Sequence, residues 1–275
     1  MKNILFGLFV LPFQFAYSQY YYKDIVTTRE TNRQYAQLTA AGVRKVELAS
    51  FDGNSNETAG FSAGQTIDPA KRTILSTTTT AVIGNSFVLA TYNANGQLIS
   101  TNDSTQEAVT KTAYEYDAEG RLTRLTSNSK SDNITNSETH TYQYNPDGTP
   151  KNMTRIRNNS DTSLIEFLPD EKGLVGEEKT IKSAIPVPAF YYYHDASGRL
   201  TDVVRFNPRA SRLLPYYMFE YSPEGQLKKM TLVPAGTSDY QVWYYQYEQN
   251  GLKKMDLCYN KQQELLGKVV YSYSK

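Results

Sequence analysis

One cysteine, one tryptophan and two histidines are spread over 275 residues. With Cys258 alone there is no internal disulfide, so an exported form of the chain must hold together by packing or by oligomerisation. The same scarcity leaves no Cys/His zinc spacing, and neither a metal nor a cofactor is expected. Cys258 lies in the alternating run Met255-Asp256-Leu257-Cys258-Tyr259 and reads as a small buried hydrophobe. Neither sign of charge dominates, with 29 Lys and Arg against 28 Asp and Glu. There is no basic stripe, which excludes nucleic acid as a partner, since phosphate neutralisation supplies most of that affinity. Glycine-rich phosphate loops are also missing. Past residue 15 there is no long apolar run, so no helical membrane span is expected in the processed chain.

The N-terminus has the pattern of a secretory leader. Lys2 gives a positive start, Ile4 to Phe15 is apolar, and Ala16-Tyr17-Ser18 sets small residues before a cut between Ser18 and Gln19. The chain then divides into residues 1–18 as leader, 19–86 as an N-terminal α+β segment and 87–275 as a repeat region. The expected location is the periplasm, the cell surface or the medium. In the middle segment, Thr27 or Thr28 is placed to cap a helix that runs to about Ala41 and stops at Gly42. Val43 to Phe51 reads as a strand and Asp52 to Gln65 as a polar loop. Thr73 to Ile83 and Ser86 to Tyr92 follow as strands, with the turn signal Gly84-Asn85 between them.

From there one unit recurs. Gly96, Gly120, Gly148, Gly173, Gly198, Gly225 and Gly251 are 24 to 28 residues apart. Six residues before each stands an apolar or aromatic residue, mostly Tyr or Phe. Four before stand Tyr92, Tyr116, Tyr144, Pro169, His194, Tyr221 and Tyr247. A separation of two puts both side chains on one face of a strand. The turns, such as Asp117-Ala-Glu-Gly120 and Asn145-Pro-Asp-Gly148, open on a residue that bonds backbone ahead of it and close on a glycine with positive φ. Two residues after the glycine comes Leu98, Leu122, Val175, Leu200 or Leu227, and three further on Leu125, Met153, Val203 or Met230. Three is odd, so a bulge just after the turn, or a Leu tucked beneath it, is expected. Seven hairpins give about fourteen strands, and Tyr271-Ser272-Tyr273 starts a half-unit that closes or caps the array. The fold class is all-β, an antiparallel meander of about seven hairpins forming a curled or shell-like sheet, capped by the N-terminal helix and strand.

At Tyr114-Glu-Tyr-Asp-Ala-Glu-Gly-Arg-Leu122 the chain resembles the YD repeats of the RHS family, whose units read Tyr-x-Tyr-Asp-x-x-Gly-Arg-Leu. Residues 193–200 and 219–227 fit in part, and the similarity spans about residues 87–275. The resemblance implies long β-sheets coiled into a shell and an exported location; some members enclose toxins or act at cell surfaces. This chain departs from them in being too short for a large shell, and it shows no toxin module and no self-cleaving protease segment. Its leader and Tyr-rich repeats are also similar to those of secreted proteins of Bacteroidetes-type bacteria.

Motifs that bear chemistry are sparse. Gly60-Phe61-Ser62-Ala63-Gly64 matches a nucleophile elbow, with His140 and His194 downstream, but the surrounding loop lacks a strand-to-helix turn. Asp52, Asn54 and Asn56 have the spacing that opens a calcium loop, without the required Gly and Glu further on. The acidic pairs Glu177-Glu178 and Asp170-Glu171 have the residue types for glycoside hydrolysis. Aromatic clusters remain, and Tyr191, Tyr193, Tyr216, Tyr217, Trp243 and Tyr244 are the candidate ligand contacts; burial on both faces of a curled sheet is the competing reading. The function expected is a non-enzymatic structural or binding module, with a glycan or a cell-surface protein as partner. Two rivals stand beside it: an exported hydrolase built on Ser62 or a carboxylate pair, and an outer-membrane β-barrel.

Overall fold

The computed structural model describes residues 20–275 except 83, 184–188, 208–209 and 235–238. The leader, including the Ser18–Gln19 cut, lies outside the described residues. Helix α1 (Tyr22–Ala40) comes first. Then follow β1 (Lys45–Asp52), β2 (Ser62–Asp68), β3 (Thr73–Thr80), β4 (Gly84–Tyr92), β5 (Leu98–Ser104) and β6 (Ala108–Tyr116). The next six are β7 (Leu122–Ser131), β8 (Ile134–Tyr144), β9 (Pro150–Arg157), β10 (Asp161–Pro169), β11 (Val175–Lys182) and β12 (Phe190–His194). The last six are β13 (Leu200–Asn207), β14 (Arg212–Tyr221), β15 (Leu227–Leu232), β16 (Gln241–Tyr247), β17 (Lys253–Tyr259) and β18 (Leu265–Ser274). Every strand pairs antiparallel with the next, and β18 pairs with β1 from Lys45↔Ser274 to Asp52↔Gly267. The meander therefore closes into an 18-stranded barrel with one helix, and its edges are used up.

The N-terminal segment is not a cap. Its strands β1 to β3 are staves of the same wall, and part of the expected polar loop, from Ser62 on, is β2. Helix α1 sits inside. Tyr35 stacks on Tyr92 of β4 with centroids 3.8 Å apart, and Tyr22 packs on Phe167 of β10 and Tyr192 of β12. The Asn32 side-chain Oδ1 accepts from the Leu98 amide of β5 at 2.8 Å. Eighteen strands about 4.8 Å apart give a perimeter of roughly 86 Å, hence a radius of about 14 Å before any strand tilt. A helix about 10–12 Å across leaves a ring of several ångströms to fill. Long aromatic side chains fill it, which is what the paired tyrosines of the repeat are for. Tyr114, Tyr142, Phe167, Phe190 and Tyr192 are all buried in one core with Ile25 and Leu38 of the helix.

The repeat has a physical explanation. In each of seven hairpins the register slips just after the turn, as between Glu115↔Arg124 and Tyr116↔Leu122, so one residue bulges out. The same slip occurs before Tyr92, Tyr144, Pro169, His194, Tyr221 and Tyr247. The expected bulge is thus present, and it keeps both Leu122 and Leu125 inside. Asp117 accepts from the Arg121 amide at 2.8 Å and from its guanidinium Nε at 2.6 Å. That guanidinium lies over the ring of Tyr144 in the next unit, 4.9 Å from its centroid, and the Tyr144 hydroxyl donates back to the Leu122 carbonyl at 2.6 Å. Asp195, Arg199, Tyr221 and Leu200 repeat the arrangement. Tyr116, Tyr247 and Tyr273 donate to the carbonyls of Leu98, Leu227 and Lys253 in the unit before. In the fullest units aspartate shapes the turn, arginine clamps it and covers the neighbouring ring, and tyrosine ties the hairpin to the unit before.

Candidate functional site

The pleat sorts the candidate aromatics. Trp243 faces the lumen and is 4 % exposed, and Tyr216 and Tyr217 pack against the core around Tyr20. As candidate ligand contacts these three are thus inside the barrel, in line with the competing reading of burial. Trp243 shares its parity with Tyr245 and Tyr247, which line the lumen, so it cannot share a face with Tyr244. Only Tyr191, Tyr193 and Tyr244 of the six point outward, the last two 50 % and 39 % exposed.

Ser62 faces outward on β2, whereas His140 and His194 face inward, so the wall separates nucleophile from base. Asp52 spends its carboxylate on the amides of Asn54 and Asn56, each at 2.9 Å, which makes the calcium-like stretch a self-satisfied turn. Among the described residues no group of three or more His, Cys, Asp and Glu is arranged to hold a metal ion. The thiol of Cys258 is buried, and burial pushes its pKa up to about 12. The acidic pair Glu177-Glu178 is split by the pleat: Glu177 faces out and Glu178 faces in, fully buried.

Glu178 and a second cluster fix the helix in the lumen. The Glu178 carboxylate accepts from the amides of Tyr21 and Tyr22 at 2.8 Å and from the Tyr192 hydroxyl at 2.7 Å. It caps the start of α1 from the wall, where exposed amides and the helix dipole favour an anion. That is why the helix begins at Tyr22, with no capping side chain of its own, rather than at Thr27 or Thr28 as the sequence alone suggests. Burial pushes the Glu178 pKa up to about 7 in spite of those donors. Next to it, Asp24 accepts from His140 Nδ1 at 2.6 Å and from the Tyr142 hydroxyl at 2.7 Å. His140 Nε2 meets Glu138 at 2.9 Å, and Glu138 meets Arg155 at 2.9 Å. Burial works against a charged His140, but Asp24 and Glu138 on its two nitrogens outweigh it and lift its pKa to about 9. Glu138 falls to about 2, because His140 and Arg155 overcome its burial. His140 is therefore an imidazolium that bonds helix to wall. A separate inner pair, Lys253 and Asp256, is joined at 2.9 Å, with the Tyr271 hydroxyl donating to Asp256 at 2.8 Å.

A concavity of about 700 Å³ lies on the outside of β14 to β17. Its floor is made of outward side chains, among them Thr231, Val242, Leu257 and Met218. Tyr244 and Tyr259 stand in it edge to face, with centroids 5.7 Å apart. Tyr240, Asn260 and Gln263, at one end of these strands, complete it. Of these residues the sequence pointed to Tyr244 alone. Tyr259 escaped notice because it lies past the repeat's turn, and Tyr240 because it precedes its strand.

Comparison with known proteins gives a family match over part of the chain: residues 92–131 match the RHS repeat. The matched stretch contains Tyr114 to Leu122, the unit in which the resemblance is complete. No curated protein matches the chain. Among solved structures, the chain is similar to a porin-like protein from Bacteroides uniformis ATCC 8492. The identity is 12 %, the TM-score 0.40, and 84 % of this chain and 98 % of that one are covered. It is also similar to a chain of the TcdB2-TccC3-Cdc42 complex, with 11 % identity, a TM-score of 0.28, and coverage of 86 % of this chain and 17 % of that one. A chain of the Photorhabdus luminescens Tc holotoxin pore is covered equally, with 11 % identity and a TM-score of 0.23. The chain thus spans about a sixth of the Tc chains it resembles. With TM-scores this low, function rests on the side chains of this protein itself.

Proposed function

We propose that the chain is an exported barrel that works in water as a binding or structural body, and neither conducts solutes nor catalyses a reaction. The observation that carries this reading is the direction in which its wall faces. Lipid-spanning barrels turn an apolar band outward and keep polar residues for the lumen. In this barrel Lys111, Glu115, Arg124 and Lys130 point outward from the neighbouring strands β6 and β7, all exposed. Glu166, Lys179, Asp202 and Glu220 continue the charges around the wall. A Lys or Arg facing lipid at mid-depth costs about 2–4 kcal/mol, and these charges sit at several heights. The lumen, in turn, holds tyrosines, phenylalanines and leucines packed on a helix, which obstructs passage.

A closed antiparallel meander with an even number of strands is also the architecture of an outer-membrane barrel, and that second reading draws on the closure between β1 and β18. Fractionation separates the two. The exported chain should be recovered without detergent after a high-salt wash and should give no current steps in a planar bilayer. Retention in the membrane fraction together with stepwise conductance would overturn the proposal in favour of the second reading.

A further inference from the structure

We infer that the concavity over β14 to β17 is a binding site for a short neutral oligosaccharide. The inference rests on the barrel being a water-facing body. The outer wall of a closed barrel is convex, so a hollow of about 700 Å³ on it needs something to build its sides. Tyr240, Asn260 and Gln263, at one end of these strands, do so. The volume lies within the usual range of about 300–1,000 Å³ for small-ligand sites.

The hollow offers the two kinds of contact that a sugar uses. The rings of Tyr244 and Tyr259 present apolar faces at right angles, which suits the flat C–H face of a pyranose on one ring and its edge on the other. Polar groups stand beside them. The hydroxyls of Tyr244 and Tyr259 and the amide of Gln246 make no hydrogen bond within the described residues. The inward tyrosines differ: Tyr116, Tyr144, Tyr221, Tyr247 and Tyr273 each spend the hydroxyl on a wall carbonyl. An amide and a phenol each donate and accept, as sugar hydroxyls do.

Charge and topology narrow the occupant. Lys229 is the one cation among the lining residues, and it is paired with Glu220 at 2.7 Å. The hollow is thus close to neutral, which disfavours an anionic chain. A peptide that adds itself as a strand needs a free sheet edge, and the ring of paired strands leaves none.

The test is an array of neutral gluco-, manno-, galacto- and N-acetylhexosamine oligosaccharides probed with the whole exported chain, followed by calorimetric titration of the hits. Saturable binding is expected. It should weaken at least tenfold in Tyr244→Ala and in Gln246→Ala. Tyr193→Ala, whose ring is exposed on β12, should bind as the parent does, and all three variants should melt within a few degrees of it. Absence of saturable binding by the folded protein would overturn the inference. So would binding that survives both Tyr244→Ala and Gln246→Ala, or capture of anionic glycans in place of neutral ones. Detergent-free recovery and the lack of conductance are unaffected by any of these outcomes, so the site can fail while the water-facing barrel stands.

Discussion

His140 is where the helix and the wall depend on each other most, and its replacement by Gln tests that dependence. The imidazolium stands between Asp24 and Glu138, with its side chain 6 % exposed. Removing it leaves two buried carboxylates without their shared cation, a change that costs about 3–5 kcal/mol. A second route gives a similar figure. A rise in pKa from 6.5 to about 9 corresponds to roughly 3 kcal/mol at 1.36 kcal/mol per tenfold change in proton affinity. Against a total stability of about 5–15 kcal/mol for a folded domain, the loss is large. The sign follows from linkage. A base whose pKa is higher in the folded state contributes its full stabilisation below pH 6.5 and loses it as pH rises through about 9. Urea unfolding followed by near-ultraviolet circular dichroism, from pH 6 to pH 10, should therefore show His140→Gln less stable than the parent by about 3 kcal/mol at pH 6. The gap should close toward pH 10. A gap below about 1 kcal/mol, or one that does not change with pH, would refute the ion-pair account and leave His140 as packing.

Glu178→Gln reports on the other end of the same joint. A carboxyl lifted from 4.5 to about 7 in the fold makes the parent lose stability as pH rises from 4.5 through 7, and the variant should lack that decline in thermal melts across the window. Tyr144→Phe removes the bond to the Leu122 carbonyl and should cost about 1–2 kcal/mol in urea, with Tyr193→Phe on the outer face near zero. Gly53→Ala would drive a methyl into the Leu265 carbonyl oxygen beside the β1–β18 seam, so melting should drop by several degrees.

Most of the wall was legible because its rules are local. Tyrosines two apart, a turn opened by Asp and closed by Gly, and an odd step to the next apolar residue specify a bulged hairpin, and seven such hairpins appear. The half-unit at Tyr271–Tyr273 was expected to close or cap the array, but which of the two, and against which strand, was not legible. Closure depends on Lys45–Asp52 meeting Gly267–Ser274, more than 200 residues away, and nothing in either segment names the other. The start of α1 was hidden for the same reason: its cap, Glu178, is 156 residues from Tyr22. Tyr216 could not be placed by counting from Gly225, because the register slip opposite Val203 and Val204 turns its neighbourhood by one residue.

The interior ionic groups, by contrast, do leave a trace in the repeat. The position five residues after each turn glycine is inward and usually apolar, as with Leu125, Met153, Val203 and Met230. In two units that position is instead Glu178 or Asp256, both buried. A charge forced inward by the repeat's own parity has to find a partner or lose its charge. Glu178 finds the amides at the start of a helix, and Asp256 finds Lys253 and Tyr271. The unit whose fifth position is acidic is therefore a unit that must face a donor, and for Glu178 the donors include the free amides of Tyr21 and Tyr22 at the start of the helix. The wall itself supplies the donors for Asp256, whereas Glu178 uses its inward carboxylate to hold the start of α1 inside the barrel.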